Sequence, residues 1–179
     1  MISTPTTDNE NINKEFRLST MEHFHYKCPS CNKWTELIFP ECVEIVGEDA
    51  ADPRVKESYY KCKECQVRIP YDLNMTERQN ADAKADWFKT TMWVPSHSDR
   101  DMRGFWIPQM YSMTVPPGDF ALSYFKGMTS PADEQEFYNS KLGMTHAVSG
   151  ARVDDHQIEA AKRNHKNTDE PPQNALVTM

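Results

Sequence analysis

The sequence predicts an α+β fold: a small antiparallel ribbon held by cysteines, a β-hairpin and three to four helices, with incomplete strands at both chain ends. Three observations predict it. Two Cys-x-x-Cys pairs, Cys28/Cys31 and Cys62/Cys65, stand 30 residues apart and bracket runs of strand formers. Two aromatic runs, Trp87-Phe88 with Met92-Trp93-Val94 and then Gly104-Phe105-Trp106-Ile107, flank the polar bridge Ser96–Asp101. Beyond Pro116 the apolar residues change to a spacing of 3.6, the period of a helix with one buried face.

Each element follows in order. Residues 7–20 are polar and without sustained period, which predicts a loop or short irregular turns. Trp34–Phe39 and Cys42–Val46 read as strands, the second alternating apolar and charged residues; 47–53 is a loop, and Ser58-Tyr59-Tyr60 starts the returning strand. Thr76 is a fitting N-cap for a helix over 76–85. The aromatic runs are expected to pair as an antiparallel hairpin, and Pro116-Pro117-Gly118 to break the chain. Asp119 then opens a helix carrying Phe120, Ala121, Tyr124, Phe125 and Met128. A second helix starts at Ser130-Pro131 and should stop at Gly143, and a third runs from Asp154 to about Asn164. Residues 165–174 read as a polar linker, and Ala175–Met179 as the opening of a buried strand.

Composition narrows the function. The chain has 179 residues, 38% of them hydrophobic and 26% charged, enough for one domain or two small ones. A net charge of −7 excludes a generic polyanion coat, so nucleic acid would be met through a local patch or through partners. No apolar run approaches the ~18 residues of a membrane helix, and the N-terminus does not resemble a signal peptide. A soluble chain from a reducing compartment is expected, in which five cysteines favour metal binding over disulfides. None of the six glycines is followed by Lys, which excludes a phosphate-binding loop within these residues.

The cysteine spacing carries the chemistry. Two residues between cysteines let a tight turn aim both sulfurs at one ion, and two such turns complete a tetrahedral site. Cys28, Cys31, Cys62 and Cys65 are therefore expected to bind structural Zn²⁺, with an iron centre or a redox pair as alternatives. Cys42 reads as a small buried apolar residue. Lys27, Lys33, Lys61 and Lys63 flank the turns and are candidate phosphate contacts, but residues 27–71 hold seven basic and eight acidic side chains. A ribbon without a positive field is more often a folding device or a docking surface. His23 and His25 read as strand residues, since four cysteines already fill the site. Asp99/Asp101 and Asp154/Asp155 are explained by a turn and a helix cap, leaving no carboxylate cluster for a metal-dependent nuclease. Trp87, Trp93, Phe105 and Trp106 could stack bases but fit a core better.

The order of motifs also carries a resemblance. Ile2-Ser3-Thr4-Pro5-Thr6, Phe24–Cys31, Tyr60–Cys65, Arg103–Ile107, Tyr111-Ser112 and Glu136–Gly143, with its F-x-N-x-x-L-G helix end, resemble the large subunit of tailed-phage terminases of the lambda-like branch. Nearly the whole chain is covered, in order. Such proteins are DNA-packaging motors, with an N-terminal ATPase using ATP and Mg²⁺ and a C-terminal nuclease of ribonuclease-H-like fold. The resemblance implies a central fragment, placed between the family's Walker motifs and its nuclease carboxylates, so no catalytic residue is expected in it. Residues 1–23 would be the tail end of the ATPase domain, with Ser3, Thr4 and Pro5 as its coupling motif and Met1-Ile2 as a strand stub. Residues 24–71 would be the zinc ribbon, 72–164 the hairpin and helical linker subdomain, and 165–179 a linker with the first strand stub of the nuclease. Implied partners are the missing ATPase and nuclease segments, the small terminase subunit, the portal and duplex DNA, in the host cytoplasm and without a membrane. A second reading is a stand-alone zinc-ribbon adaptor that binds protein or DNA without catalysis.

Overall fold

The computed structural model describes residues 2–147 and 155–164. Its architecture is α+β, with short strands in two small sheets and five α-helices among the described residues. Helix α1 (Asn11–Leu18) precedes strands β1 (Glu22–Lys27), β2 (Trp34–Glu36), β3 (Val43–Glu44) and β4 (Tyr59–Tyr60). Helix α2 (Glu77–Trp87) is followed by β5 (Thr91–Pro95) and β6 (Phe105–Trp106), then α3 (Pro117–Gly127) and α4 (Pro131–Glu136), which continues as a wide turn through Lys141. Helix α5 (Asp155–Asn164) belongs to a second unit beginning at Ser149. The strand expected at Ala175–Met179 lies outside the described residues, as does Met1; Ile2 is fully exposed and in no strand.

β1 is the centre of the larger sheet. β5 runs antiparallel along one edge, from Glu22 opposite Pro95 to Tyr26 opposite Thr91. The other edge is shared, with β2 antiparallel at His25–Lys27 and β6 parallel at Glu22 and His23. The expected hairpin therefore does not form, because β1 lies between its two arms. The polar bridge is the reason. Instead of turning back, it wraps the start of β1: Ser96 N–H donates to Thr20 O, Thr20 N–H to Met102 O and Glu22 N–H to Gly104 O. Arg100 Nη1 donates to Arg17 O and Ser19 O, and Arg103 grips the buried Glu22 through two bonds of 2.7 and 2.8 Å. Gly104 is required by the close approach, since a Cβ there would lie 1.9 Å from Ser19 Oγ.

Three further expectations are corrected. Residues 11–18 are helical rather than irregular: Ile12 and Phe16, four apart, turn one face into a groove, and that tertiary setting overrides the low propensity of the Asn-rich sequence. The segment Pro116-Pro117-Gly118 starts α3 rather than breaking the chain, with Pro117 in the first helical position, where its missing N–H costs no bond. Trp87, expected in a strand, ends α2. The caps at Thr76 and Ser130 form as expected, Thr76 with Gln79 in a reciprocal box.

One core joins both sheets to the helices. Tyr26, Leu37, Tyr60, Phe88, Met110, Tyr111, Phe120, Phe137 and Leu142 are buried together with Cys28, Cys42 and Cys62. Burying each large side chain of this kind stabilises by roughly 1.5–3 kcal/mol. The Tyr111 hydroxyl donates to Phe24 O and accepts from Leu37 N–H, both at 2.7 Å, stapling β1 to the chain after β2. The F-x-N-x-x-L-G helix end proves to be a packing device. Phe137 and Leu142 enter the core, Asn139 Oδ1 accepts from His146 N–H, and Trp106 Nε1 donates to the carbonyls of Leu142 and Gly143. Gly143 has φ +65°, a conformation that favours glycine.

Candidate metal centre

Each Cys-x-x-Cys pair is a turn with the same hydrogen bonds. In the first, Cys28 N–H donates to Lys33 O and Asn32 N–H to Cys28 O; in the second, Cys62 N–H donates to Val67 O and Gln66 N–H to Cys62 O. Asn32 and Gln66, directly after the second cysteine of each pair, have φ 59° and 60°. That left-handed residue closes the turn and leaves backbone N–H groups aimed inward. Those of Ser30 and Cys31 reach Cys28, those of Glu64 and Cys65 reach Cys62, and that of Val67 reaches Cys65.

The four sulfurs lie within 4.8 Å of one another, Cys28 and Cys65 at 3.9 Å. A tetrahedron with metal–sulfur bonds of about 2.3 Å has edges near 3.8 Å, so the cluster has the dimensions of an S₄ site. Burial pushes the Cys28 thiol up to about 12 and raises that of Cys62, whereas the Val67 N–H draws Cys65 down to about 7. Buried thiols ionise together only when a cation compensates their charge, as a bound divalent ion does. Donor type, donor number and spacing thus fit a closed metal site.

Neighbouring candidates separate cleanly from it. On β1, Glu22, Phe24 and Tyr26 share one face by the two-residue period, just before Cys28; His23 and His25 take the other, and His23 Nδ1 meets Glu36 at 2.9 Å. Cys42 is buried and outside the cluster, its thiol 3.5 Å from Glu36 O. Lys33 pairs with Glu64 at 3.1 Å, joining the two turns across the site, and Lys61 pairs with Glu44 at 2.8 Å. Lys27 and Lys63 are exposed. Asp99 and Asp101 lie in the wrapping loop.

The segment Ser3-Thr4-Pro5 is in no helix or strand. Ser3 and Pro5 line a largely apolar groove of about 1000 Å³ whose other walls include Phe16, Trp93, Phe105, Trp106 and Ile107. Asp8, hydrogen-bonded to Thr145, ties this N-terminal segment to the end of the body.

Several residues had no sequence signal. Glu22 and Arg103 meet across 81 positions. Lys84 is buried on α2, donating to Met110 O at 2.7 Å and Ser112 O at 2.6 Å beneath the ring of Tyr60, and burial pushes it down to about 7. A lysine at the last turn of a polar helix reads as solvated until its neighbours are known.

Residues 1–87 match the family described as phage terminase large subunit gpA, ATPase domain. The matched stretch runs from before Ser3-Thr4-Pro5 through both cysteine turns to the end of α2, and relates the chain to the terminase large subunits. Searches of curated proteins and of solved structures find no match. Among the described residues, no helix is long and apolar enough to cross a membrane.

Proposed function

We propose that this chain is the central segment of a phage terminase large subunit, joining the ATPase and nuclease parts of a DNA-packaging motor around a structural zinc. The observation that carries the reading is the terminase match over residues 1–87, whose span holds both the Ser3-Thr4-Pro5 segment and all four clustered cysteines. Zn²⁺ is the ion of choice for four thiolates at tetrahedral spacing, and four protein ligands leave no position for a reacting water. When bound, it supplies a cross-link between the two cysteine turns. Cys28, Cys31, Cys62 and Cys65 hold it, and the inward backbone N–H groups offset the thiolate charge.

The linking role is mechanical. Ser3 and Pro5 lie along an apolar groove, the kind of surface by which an ATP-driven part would push against this body. The lysines support docking to other motor parts more than direct contact with duplex DNA, because Lys33 and Lys61 are engaged by acids. ATP and Mg²⁺ act only in the complete parent protein, whose remaining segments, small subunit and portal are the partners, in the host cytoplasm.

Purification of the tagged chain from infected cells, with mass identification and metal analysis, tests this reading. It should retain about one zinc per molecule and bring down the ATPase and nuclease segments or the portal. Recovery of zinc with partners unrelated to packaging would replace the motor role by that of a stand-alone adaptor. Absence of zinc would remove the metal centre.

A further inference from the structure

The hydroxyl of Tyr26 is completely buried and has no hydrogen-bond partner, although buried hydroxyls in folded proteins are nearly always paired. Its position is closely defined. Tyr26 lies on the inward face of β1, two residues before Cys28, and its ring is held edge-on against Phe88 at 4.8 Å and against Tyr111 at 6.5 Å. Held this way, the ring is packed in one buried cluster with Cys28, Cys42 and Cys62, and its hydroxyl faces the cysteines, Cys62 foremost. A neutral thiol is a poor acceptor, whereas a thiolate is a strong one.

We propose that Tyr26 is a positioning residue of the metal centre, its hydroxyl donating a hydrogen bond to the Cys62 thiolate when the four cysteines bind their ion. The inference rests on the zinc reading given above and extends it beyond the four ligands. Cys62 also receives the N–H groups of Glu64 and Cys65, so the tyrosine adds a side-chain donor to a backbone cradle. Such outer donors orient a ligand and tune its charge, and removing one typically weakens metal binding by about 10- to 100-fold.

Tyr26→Phe removes the donor and keeps the ring. Tyr60→Phe is its control, because Tyr60 is another buried tyrosine with an unpartnered hydroxyl, and that hydroxyl feels Asp119 rather than the cysteines. Zinc affinity is measured by competition with a chromophoric chelator, and the thiolate-to-metal charge-transfer band by cobalt substitution. Tyr26→Phe should weaken zinc binding about 10-fold and shift the band, while Tyr60→Phe leaves both unchanged. Equal zinc affinity and an unshifted band in Tyr26→Phe overturn the hydrogen bond while leaving the metal centre intact. Equal losses in the two variants assign the effect to packing and overturn it as well. A wild-type chain that binds neither ion removes the metal centre and this inference with it.

Discussion

Cys28–Cys31 and Cys62–Cys65 turn through the same hydrogen bonds, yet the structures behind them differ. The first turn joins β1 to β2, and β1 is paired along both edges by three strands and stapled by Tyr111. The second follows β4, which among the described residues pairs with just the two residues of β3, and beyond it one bridge joins Lys61 to Arg68. Cys28 and Cys62 are both buried, but Cys65 is exposed whereas Cys31 is partly covered. One turn is thus carried by a sheet, and the other depends on what it is tied to. A metal shared between them would lend the sheet's rigidity to the weaker partner, a reason for a cross-link at this place in a small core.

Removing the metal is the strongest way to expose this asymmetry. Binding free energies at structural zinc sites of about 10–16 kcal/mol far exceed what a two-stranded pair supplies. After chelation, the amides of Cys62, Gln66 and Ile69 should exchange freely while those of the β1–β5 pairing stay protected, as read by hydrogen exchange. Uniform loss of protection in both regions would show that the sheet depends on the ion as much as the second turn does.

A smaller effect should come from Lys84, which lies under the Tyr60 ring at the root of the second turn. Burial lowers its pKa to about 7 in the folded chain, whereas the unfolded chain keeps the ordinary lysine value. Between about pH 7 and pH 10 the unfolded state therefore holds more protons, and stability rises with pH by up to a few kcal/mol. Denaturant titrations across this range should show the rise in the wild type and a flat profile in Lys84→Met. A rise that survives the substitution would assign it to another group.

The smallest effect concerns the ion pair that spans the two turns. Lys33 is largely solvated and the Glu64 side chain is partly so, and Lys33→Ala should lower the melting temperature only slightly, a difference that fades as salt is raised. Thermal melts of the zinc-loaded protein at low and high salt measure it. A loss comparable to that of a cysteine variant would mean that the side chains, and not the ion, join the turns.

The gathering of the four cysteines and most helix starts were legible because their causes are local. Four cysteines at x-x spacing specify a turn whose bonds close within five residues, and Thr76 and Ser130 cap backbone N–H groups three residues on. The Leu142-Gly143 stop was legible for the same reason, since glycine suits the positive φ there.

Strand partners were not, since a strand's alternation says which face is buried and nothing about which neighbour supplies the hydrogen bonds. β5 and β6 each carried a correct strand signal, but only the folded chain decided that β1 would stand between them, with Arg100 and Arg103 reaching back more than 80 positions to hold the bridge. The same limit hid Lys84 and Tyr26. A side chain's chemistry is written in the sequence, but its burial and the atoms it faces come from residues distant in the chain, and burial and facing atoms determine charge and hydrogen bonding.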